Sequence, residues 1–551
     1  METGYTVGDL VAEFLAQCGV KTVFGIASVH NIPMLDGIGR RNALRFVMAR
    51  GELGGAHMAD GFARATQGLG VLFSSTGPGA ANAIGGLIEA RFASSPVLHI
   101  TGQTATKFAD RQMGTVHDAV DQLGMMRSVC KAAYRIRSPH QALGILTTAA
   151  AEALSAPMGP VSVEVPIDIQ RAQIPRPAAL DHLTLPVATP PAANEAAIAA
   201  LAARVAAAKR PMLWLGAGAR GAGAQVAALL DRGFGVVNSF AGRGIVSEDH
   251  PMSLGALHGV GMKPVQDFYA SVDLMLVVGA RVRGQETADF ALKLPENLVQ
   301  IDIDPMADGR TYPNTLFVCG EARRTLAAML DRLPETARAE ADFATDFAAL
   351  RKTARAAFLD SLGAYASFAE QLRAVMPQDA IWARDITQNN STWGNRIFPL
   401  NHPSQNIYPV GAGIGQGLSL GIGAAVGAGG RKTVVMTGDG GFFLNLGELW
   451  TIVQENLNVT VIVMNDRGYG VIKRIQESTQ HGRRFYADLQ SPELSGVAGI
   501  AGMPFFKVTE AGAFGSTVAQ ALAISGPAMV EVDMHAVGEF PAYYPFNQRA
   551  R

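Results

Sequence analysis

The 551-residue sequence predicts an α/β protein built of three consecutive doubly wound parallel sheets. Three observations carry that expectation. Short apolar runs alternate with helix-length segments along the whole chain. Hydrophobic residues make up 48% and glycines number 61, a balance that suits strands buried on both faces and joined by tight turns. Two late apolar runs, 433–437 and 459–464, end in Gly438-Asp439-Gly440 and Asn465-Asp466, with the two acids 27 positions apart. That distance fits strand, helix and strand, with the helix over 445–454. Such a unit brings both strand ends to one edge of a parallel sheet.

The elements follow in order. Residues 6–19 have helical periodicity, 22–25 form a short strand, and 52–67 form a helix that stops near Gly68. Runs 71–74, 97–101 and 161–165 read as buried strands and complete a first unit over residues 1–173. The proline-bearing stretch 174–193 is a connector. A helix over 194–209 and a strand over 211–215 open a second unit, 190–335, continued by strands 274–279 and 298–303. Its turn GAGARGAGA (216–224) either cradles a nucleotide phosphate or simply reverses the chain. The polar helical stretch 340–362 leads into a third unit, 360–551. Run 411–430 is apolar enough to suggest a membrane span. It carries Gln416 and Ser419 and leads straight into strand 433–437, which makes it a buried helix instead.

Composition excludes several classes. Lys and Arg total 46 against 47 Asp and Glu, so no basic surface awaits nucleic acid or an anionic membrane. Cys18, Cys130 and Cys319 are widely separated and form no CxxC, which argues against a disulfide framework or a zinc site. Residues 1–9 contain acids and glycines with no basic stretch before an apolar one, so no secretory signal is read and the cytoplasm is expected.

The paired acids carry the chemistry. Two oxygen-bearing side chains meeting at one sheet edge suit Mg²⁺. Glycines beside them let backbone approach a diphosphate closely. One Gly-Asp-Gly alone is as readily an ordinary turn; the second acid at this separation favours the metal. The segment GDGGFFLNLGELWTIVQENLNVTVIVMND (438–466) is similar to the cofactor motif of the thiamine-diphosphate-dependent enzymes, in the group of acetolactate synthases, 2-oxo acid decarboxylases and benzaldehyde lyase. That motif ends in two asparagines; here Asp466 replaces the second and remains an oxygen ligand. FGIASVHNIPMLDGI (24–38), ARGELGGAHMADGFARATQGLGVLFSSTGPGAANA (49–83) and SPVLHITGQ (95–103) follow the same family's pattern, so the resemblance covers nearly the whole chain.

The resemblance implies a pyrimidine-binding first domain, a central domain and a diphosphate-binding third domain. It assigns Mg²⁺ to Asp439, Asp466 and the carbonyl of Gly468, and thiamine diphosphate to Gly438, Gly440, Gly441, Tyr469 and Gly470, with Thr387, Gln388 and Asn389 near the diphosphate. Pro78 and Asn82 flank the pyrimidine, Gly413 accepts its amino group, and Ile414 wedges the cofactor into its bent shape. Glu52 matches the catalytic glutamate that hydrogen-bonds N1′ of the aminopyrimidine; the His usual beside it is Gly51 here. His30 and His117 match positions that move protons at the reacting carbon. Val29, Gln103, Val471, Ile472 and Ile475 are the expected substrate pocket. Acetolactate synthases carry a Trp near Ile475, so its absence puts strict acetolactate synthesis in doubt.

The expected function is decarboxylation of a 2-oxo acid with an apolar side chain, with the acyl fragment protonated or joined to an acceptor carbonyl. Two alternatives stand beside it: an acyloin lyase of the benzaldehyde lyase type, and a non-catalytic nucleotide-binding subunit. The family's central domain holds FAD or ADP in some members and nothing in others, and either outcome is open here. The family also implies a dimer with active sites at the subunit interface, and association of two dimers into a homotetramer.

Overall fold

A computed structural model describes residues 4–541; the outer ends of the first and third expected units, 1–3 and 542–551, lie outside the described residues. It contains three sheets in which every pairing is parallel. The first runs Arg45–Met48, Thr22–Gly25, Gly70–Ser74, Val97–Gln103, Val161–Pro166, Ala132–Arg135. The second runs Leu316–Cys319, Leu298–Asp302, Leu274–Val278, Pro211–Leu215, Gly235–Asn238. The third runs Asn406–Ile407, Ile381–Arg384, Thr433–Gly438, Val459–Asn465, Ala528–Asp533, Phe505–Val508. The first and third share one strand order, 2-1-3-4-6-5 by position along each unit. In each sheet the order reverses between the first strand of the unit and the third, and that is where open α/β sheets bind ligands.

The central strands are buried along their length because helices cover both faces, and this is why they read as continuous apolar runs. Strands 22–25 and 211–215 lie where the sequence predicts them. The edge strand Arg45–Met48 mixes buried and exposed residues, Leu316–Cys319 is mostly half-buried, and neither carries a comparable signal. One expected helix is wrong. Instead of spanning 445–454, the chain turns helical at the acid itself, Asp439–Leu444, and breaks at Asn445. It resumes as a 3₁₀ turn, Leu446–Glu448, and a helix, Leu449–Gln454. The break has a cause: the Asn445 side-chain Nδ2 donates to the Gly415 carbonyl at 2.5 Å, pinning the residue where the helix would otherwise continue.

The first and third units meet through two helices, Glu52–Thr66 and Gly417–Gly427. A Cβ at Gly61 would lie 2.0 Å from the Leu420 carbonyl oxygen, and one at Gly423 would lie 1.9 Å from that of Met58. The backbones therefore touch, which only glycine permits. This contact explains the apolar, glycine-rich run once suggestive of a bilayer; among the described residues no helix is long and apolar enough to cross a membrane. Helix Ala341–Asp360 buries Phe343, Phe347, Leu350, Ala354 and Phe358 at helical spacing and leads from the second unit to the third.

Candidate active site

In the first sheet the reversal point lies between the loops after Thr22–Gly25 and Gly70–Ser74. The two are drawn together where the Ile26 amide donates to the Phe73 carbonyl at 3.2 Å. Glu52 opens the helix of the following strand and is buried; Asn82 Nδ2 donates to its Oε2 at 3.2 Å. Gly79, next to Pro78, lies so close that a Cβ there would be 2.7 Å from Glu52 Oε1. His30 and His117 face one another with ring centroids 5.3 Å apart. Burial, and then the charge of His117, hold His30 below the ordinary imidazole range, and its Nδ1 is buried without a partner. His117 is anchored by Ser75 Oγ at 3.3 Å from its Nδ1. Val29 is exposed at the same edge. Gln103 departs from expectation: its Oε1 is engaged by the Thr104 amide at 2.7 Å and Thr76 Oγ1 at 3.3 Å, so the side chain is held in the turn.

At the carboxyl edge of the third sheet, one strand beyond its reversal point, Asp439 and Asp466 meet after strands Thr433–Gly438 and Val459–Asn465. The Asp466 amide donates to Asp439 Oδ1 at 3.3 Å, and Asp439 Oδ2 is buried with no hydrogen-bond partner. Burial raises both carboxyls, and for Asp466 the charge of Asp439 adds to it. Two adjacent, poorly hydrated carboxylates with an orphaned oxygen form a site that a divalent cation would satisfy. The Gly468 carbonyl lies 3.2 Å from where a Gly440 Cβ would be, on the same turn. A Cβ on Gly470 would strike Asp466 Oδ2, so that glycine makes room for the carboxylate. Gly441 makes room for Asp385 Oδ2 and Gly440 for the Tyr469 ring. Gln388 Nε2 lies 3.5 Å from Asp466 Oδ2. A cleft beside Asp466 is lined by Gln388, Lys473, Arg474, Arg484, His535 and Glu539, with Arg474 and Arg484 both ion-paired to Glu477 and Glu539. Helix Gly470–Thr479 carries Val471, Ile472 and Ile475, while buried Lys473 reaches back to the carbonyls of Asp466 and Arg467.

One expected cofactor contact is placed elsewhere. Asn389 is fully buried, accepts from Trp393 Nε1 at 2.7 Å and donates toward Met534 Sδ, so it belongs to the core. Thr387 stays beside the Gly438 turn, its Cγ2 3.3 Å from where a Gly438 Cβ would be, while its Oγ1 accepts from the Asn390 amide. Asp385, which sequence reasoning missed, takes the central place. It accepts from the Gly415 amide at 2.9 Å, the Ile386 amide at 2.7 Å and Thr437 Oγ1 at 3.2 Å. It thereby ties the Gly413–Ile414 turn to the Gly438-Asp439 turn. Burial pushes its carboxyl up to about 6. Asp385 directly follows a strand, Ile381–Arg384, as Asp439 and Asp466 do, but Arg384 interrupts the apolar run before it.

The reversal point of the central sheet is closed. The Gly216 and Gly218 amides donate to the carbonyls of Val278 and Gly279 at 2.9 and 3.0 Å, so neither is free for a phosphate. Arg281 binds the Phe92 carbonyl and Ser94 of the first unit, and Arg283 binds the Val410 carbonyl, Tyr408 and Glu286. The glycines here let two loops touch, since a Cβ on Gly216 or Gly218 would strike the backbone of Gly279.

Comparison with known proteins places this geometry. Residues 5–125 match the N-terminal TPP binding domain of the thiamine pyrophosphate enzymes, 198–329 their central domain and 385–532 their C-terminal TPP binding domain. A probable 2-ketoarginine decarboxylase of Pseudomonas aeruginosa is 34% identical over 85% of this chain and 83% of its own length. The chain belongs to the thiamine pyrophosphate enzymes. It is also similar to the large subunit of acetolactate synthase isozyme 1 of Escherichia coli, 29% identical over 86% of this chain and 84% of that one. An acetolactate synthase of Arthrospira platensis is 29% identical over 94% and 92%. These relatives are a decarboxylase and two synthases, and none of them lends support to acyloin cleavage or to a non-catalytic subunit.

Proposed function

We propose that this enzyme releases CO₂ from a 2-oxo acid with an apolar side chain and then protonates the acyl fragment or passes it to an acceptor carbonyl. The observation that carries the reading is the buried Asp439–Asp466 pair with its unpartnered oxygen, at the carboxyl edge of the third sheet as the Glu52 cluster is at that of the first. Mg²⁺ would be held by Asp439, Asp466 and the Gly468 carbonyl, with the diphosphate beside Gly438 and Gly440. Thiamine diphosphate, when bound, supplies the carbon nucleophile for the substrate carbonyl and an electron sink as CO₂ leaves. Glu52 holds a proton at N1′ of the aminopyrimidine, with Asn82 fixing the carboxyl. His30 and His117 deliver a proton to the fragment left after CO₂ departs. Val29, Ile472 and Ile475 exclude water and favour loss of the substrate carboxylate.

No hydrogen bond joins the Glu52 and Asp439 clusters directly among the described residues, and Val29, Ile414, Leu444 and Ile472 are exposed around them. This supports a dimer in which each site is completed by a second copy. The closed turn at Gly216 supports a central domain that clamps its neighbours and takes no flavin; a purified protein without flavin absorbance is the expected result.

The test is a panel of 2-oxo acids, apolar ones and a guanidino one, incubated with thiamine diphosphate and Mg²⁺ and assayed for CO₂. An apolar substrate should turn over, and Glu52→Gln should slow it by about two or more orders of magnitude. Cleavage of acyloins with no CO₂ from any 2-oxo acid overturns the reading; preference for the guanidino acid would replace the apolar substrate class.

A further inference from the structure

Helix Glu52–Thr66 begins without a side-chain cap: Gly51 is extended and offers none. Its first residue is nevertheless the acid on which the proposed chemistry depends. The missing anchor comes from the third unit. Glu448 is buried, and its Oε1 accepts from the Arg50 amide at 2.9 Å and the Gly51 amide at 3.1 Å. Its Oε2 accepts from Thr451 Oγ1 at 2.8 Å, and the Thr451 hydroxyl also lies 3.3 Å from the Met48 carbonyl. The whole corner from Met48 to Gly51 is thus held by one turn of another domain. The helix is notched to receive it: a Cβ at Gly54 would lie 2.0 Å from Glu448 Oε1. Arg50 adds a bond from its guanidinium to Gln454.

We infer that Glu448 is a positioning residue for Glu52, fixing the backbone immediately before it so that the carboxyl meets the cofactor in one orientation. This rests on the reading of Glu52 as the catalytic acid. Glu448 sits on the turn that follows Asp439–Leu444, so the element that bears the metal ligand in a chain also sets the acid in that chain. The carboxylate acts as an acceptor only. A glutamine retains the accepting oxygen, whereas alanine leaves two backbone amides without a partner.

The experiment is a double-mutant cycle on the holoenzyme, with kcat, KM and thiamine diphosphate affinity measured for Glu448→Gln, Glu448→Asp, Glu448→Ala, Glu52→Gln and the Glu52→Gln pairs. Glu448→Asp shortens the side chain while keeping the domain contact, and serves if the alanine variant does not fold. The expected result is a fall in kcat of about 10- to 100-fold for the alanine and aspartate variants, with KM and cofactor affinity little changed. Glu448→Gln should stay near wild type. In the Glu52→Gln background neither change should lower kcat further, because Glu448 acts through Glu52. An equal fold-loss in both backgrounds overturns the proposal while leaving Glu52 in place. Wild-type turnover by Glu52→Gln itself removes the catalytic reading, and this inference with it.

Discussion

Replacing Gly423 with alanine tests whether the backbone contact between the two central helices sets the active-site geometry. The added methyl would sit 1.9 Å from the Met58 carbonyl oxygen. Carbon and carbonyl oxygen approach to about 3.3 Å at closest, so the helices must part by roughly 1.4 Å. Overpacking a core costs about 1–3 kcal/mol, and the obstacle here is backbone, which has no rotamer to yield, so the upper end applies. Alanine regains about 1 kcal/mol of helix propensity over glycine. The net loss is therefore about 2 kcal/mol. Turnover should suffer more, because one of these helices begins at Glu52 and the other follows the Gly413–Ile414 turn. A displacement near 1 Å at reacting groups costs on the order of 100-fold in rate. Gly144 is the control: it lies in helix Ala142–Leu154, and a Cβ there meets nothing within 4 Å. Gly144→Ala should be neutral or stabilising by up to about 1 kcal/mol. Denaturation midpoints and kcat for both variants decide the matter. A Gly423→Ala enzyme that melts and turns over like wild type would refute the reasoning.

Asp439→Ala should weaken thiamine diphosphate binding in the presence of Mg²⁺ by more than about 100-fold, whereas Asp466→Asn, which keeps an oxygen and removes a charge repulsion, should be mild; calorimetry distinguishes them, and equal damage contradicts the ligand assignment. His99 is fully buried between Ser74 Oγ at 2.8 Å and Ser162 Oγ at 2.9 Å, and burial lowers its pKa to about 3. The unfolded chain takes up a proton below about pH 6.5 that the folded chain refuses, so this contribution is present above that pH and is lost as pH falls toward 3, by about 1.4 kcal/mol per unit. His99→Gln should flatten the acid limb of stability against pH by that slope, and an unchanged slope would show that the imidazole is charged in the fold. His30→Ala and His117→Ala should slow product release more than CO₂ loss; single-turnover comparison of the two products checks it, and parallel slowing would take protonation away from the pair.

How much of this was legible in the sequence depends on what each residue answers to. Buried parallel strands answer to burial alone, so 22–25, 211–215 and 433–438 could be read as apolar runs. Gly438-Asp439-Gly440 and Asn465-Asp466 were legible because a polar residue ending such a run sits at a sheet edge by construction. Glu448 and Asn389 were not. Both lie in segments whose local pattern is ordinary, and their surroundings come from residues far along the chain, Arg50 for one and Met534 for the other. The break at Asn445 is of the same kind, made by a carbonyl thirty residues away. The glycine turn at 216 left two readings open because glycine permits close approach of either a ligand or another loop, and composition alone does not say which.

The two glycine contacts between the central helices are reciprocal: Gly61 meets Leu420 while Gly423 meets Met58. Each helix treats the other as it is treated, as two copies of one unit related by a twofold axis would, in keeping with their shared strand order. Counting back equally from Gly61 and Gly423 leads to Glu52 and Ile414. At that equal count the first unit places an acid at the first residue of its helix, while the third places a bulky hydrocarbon in the turn just before its helix begins.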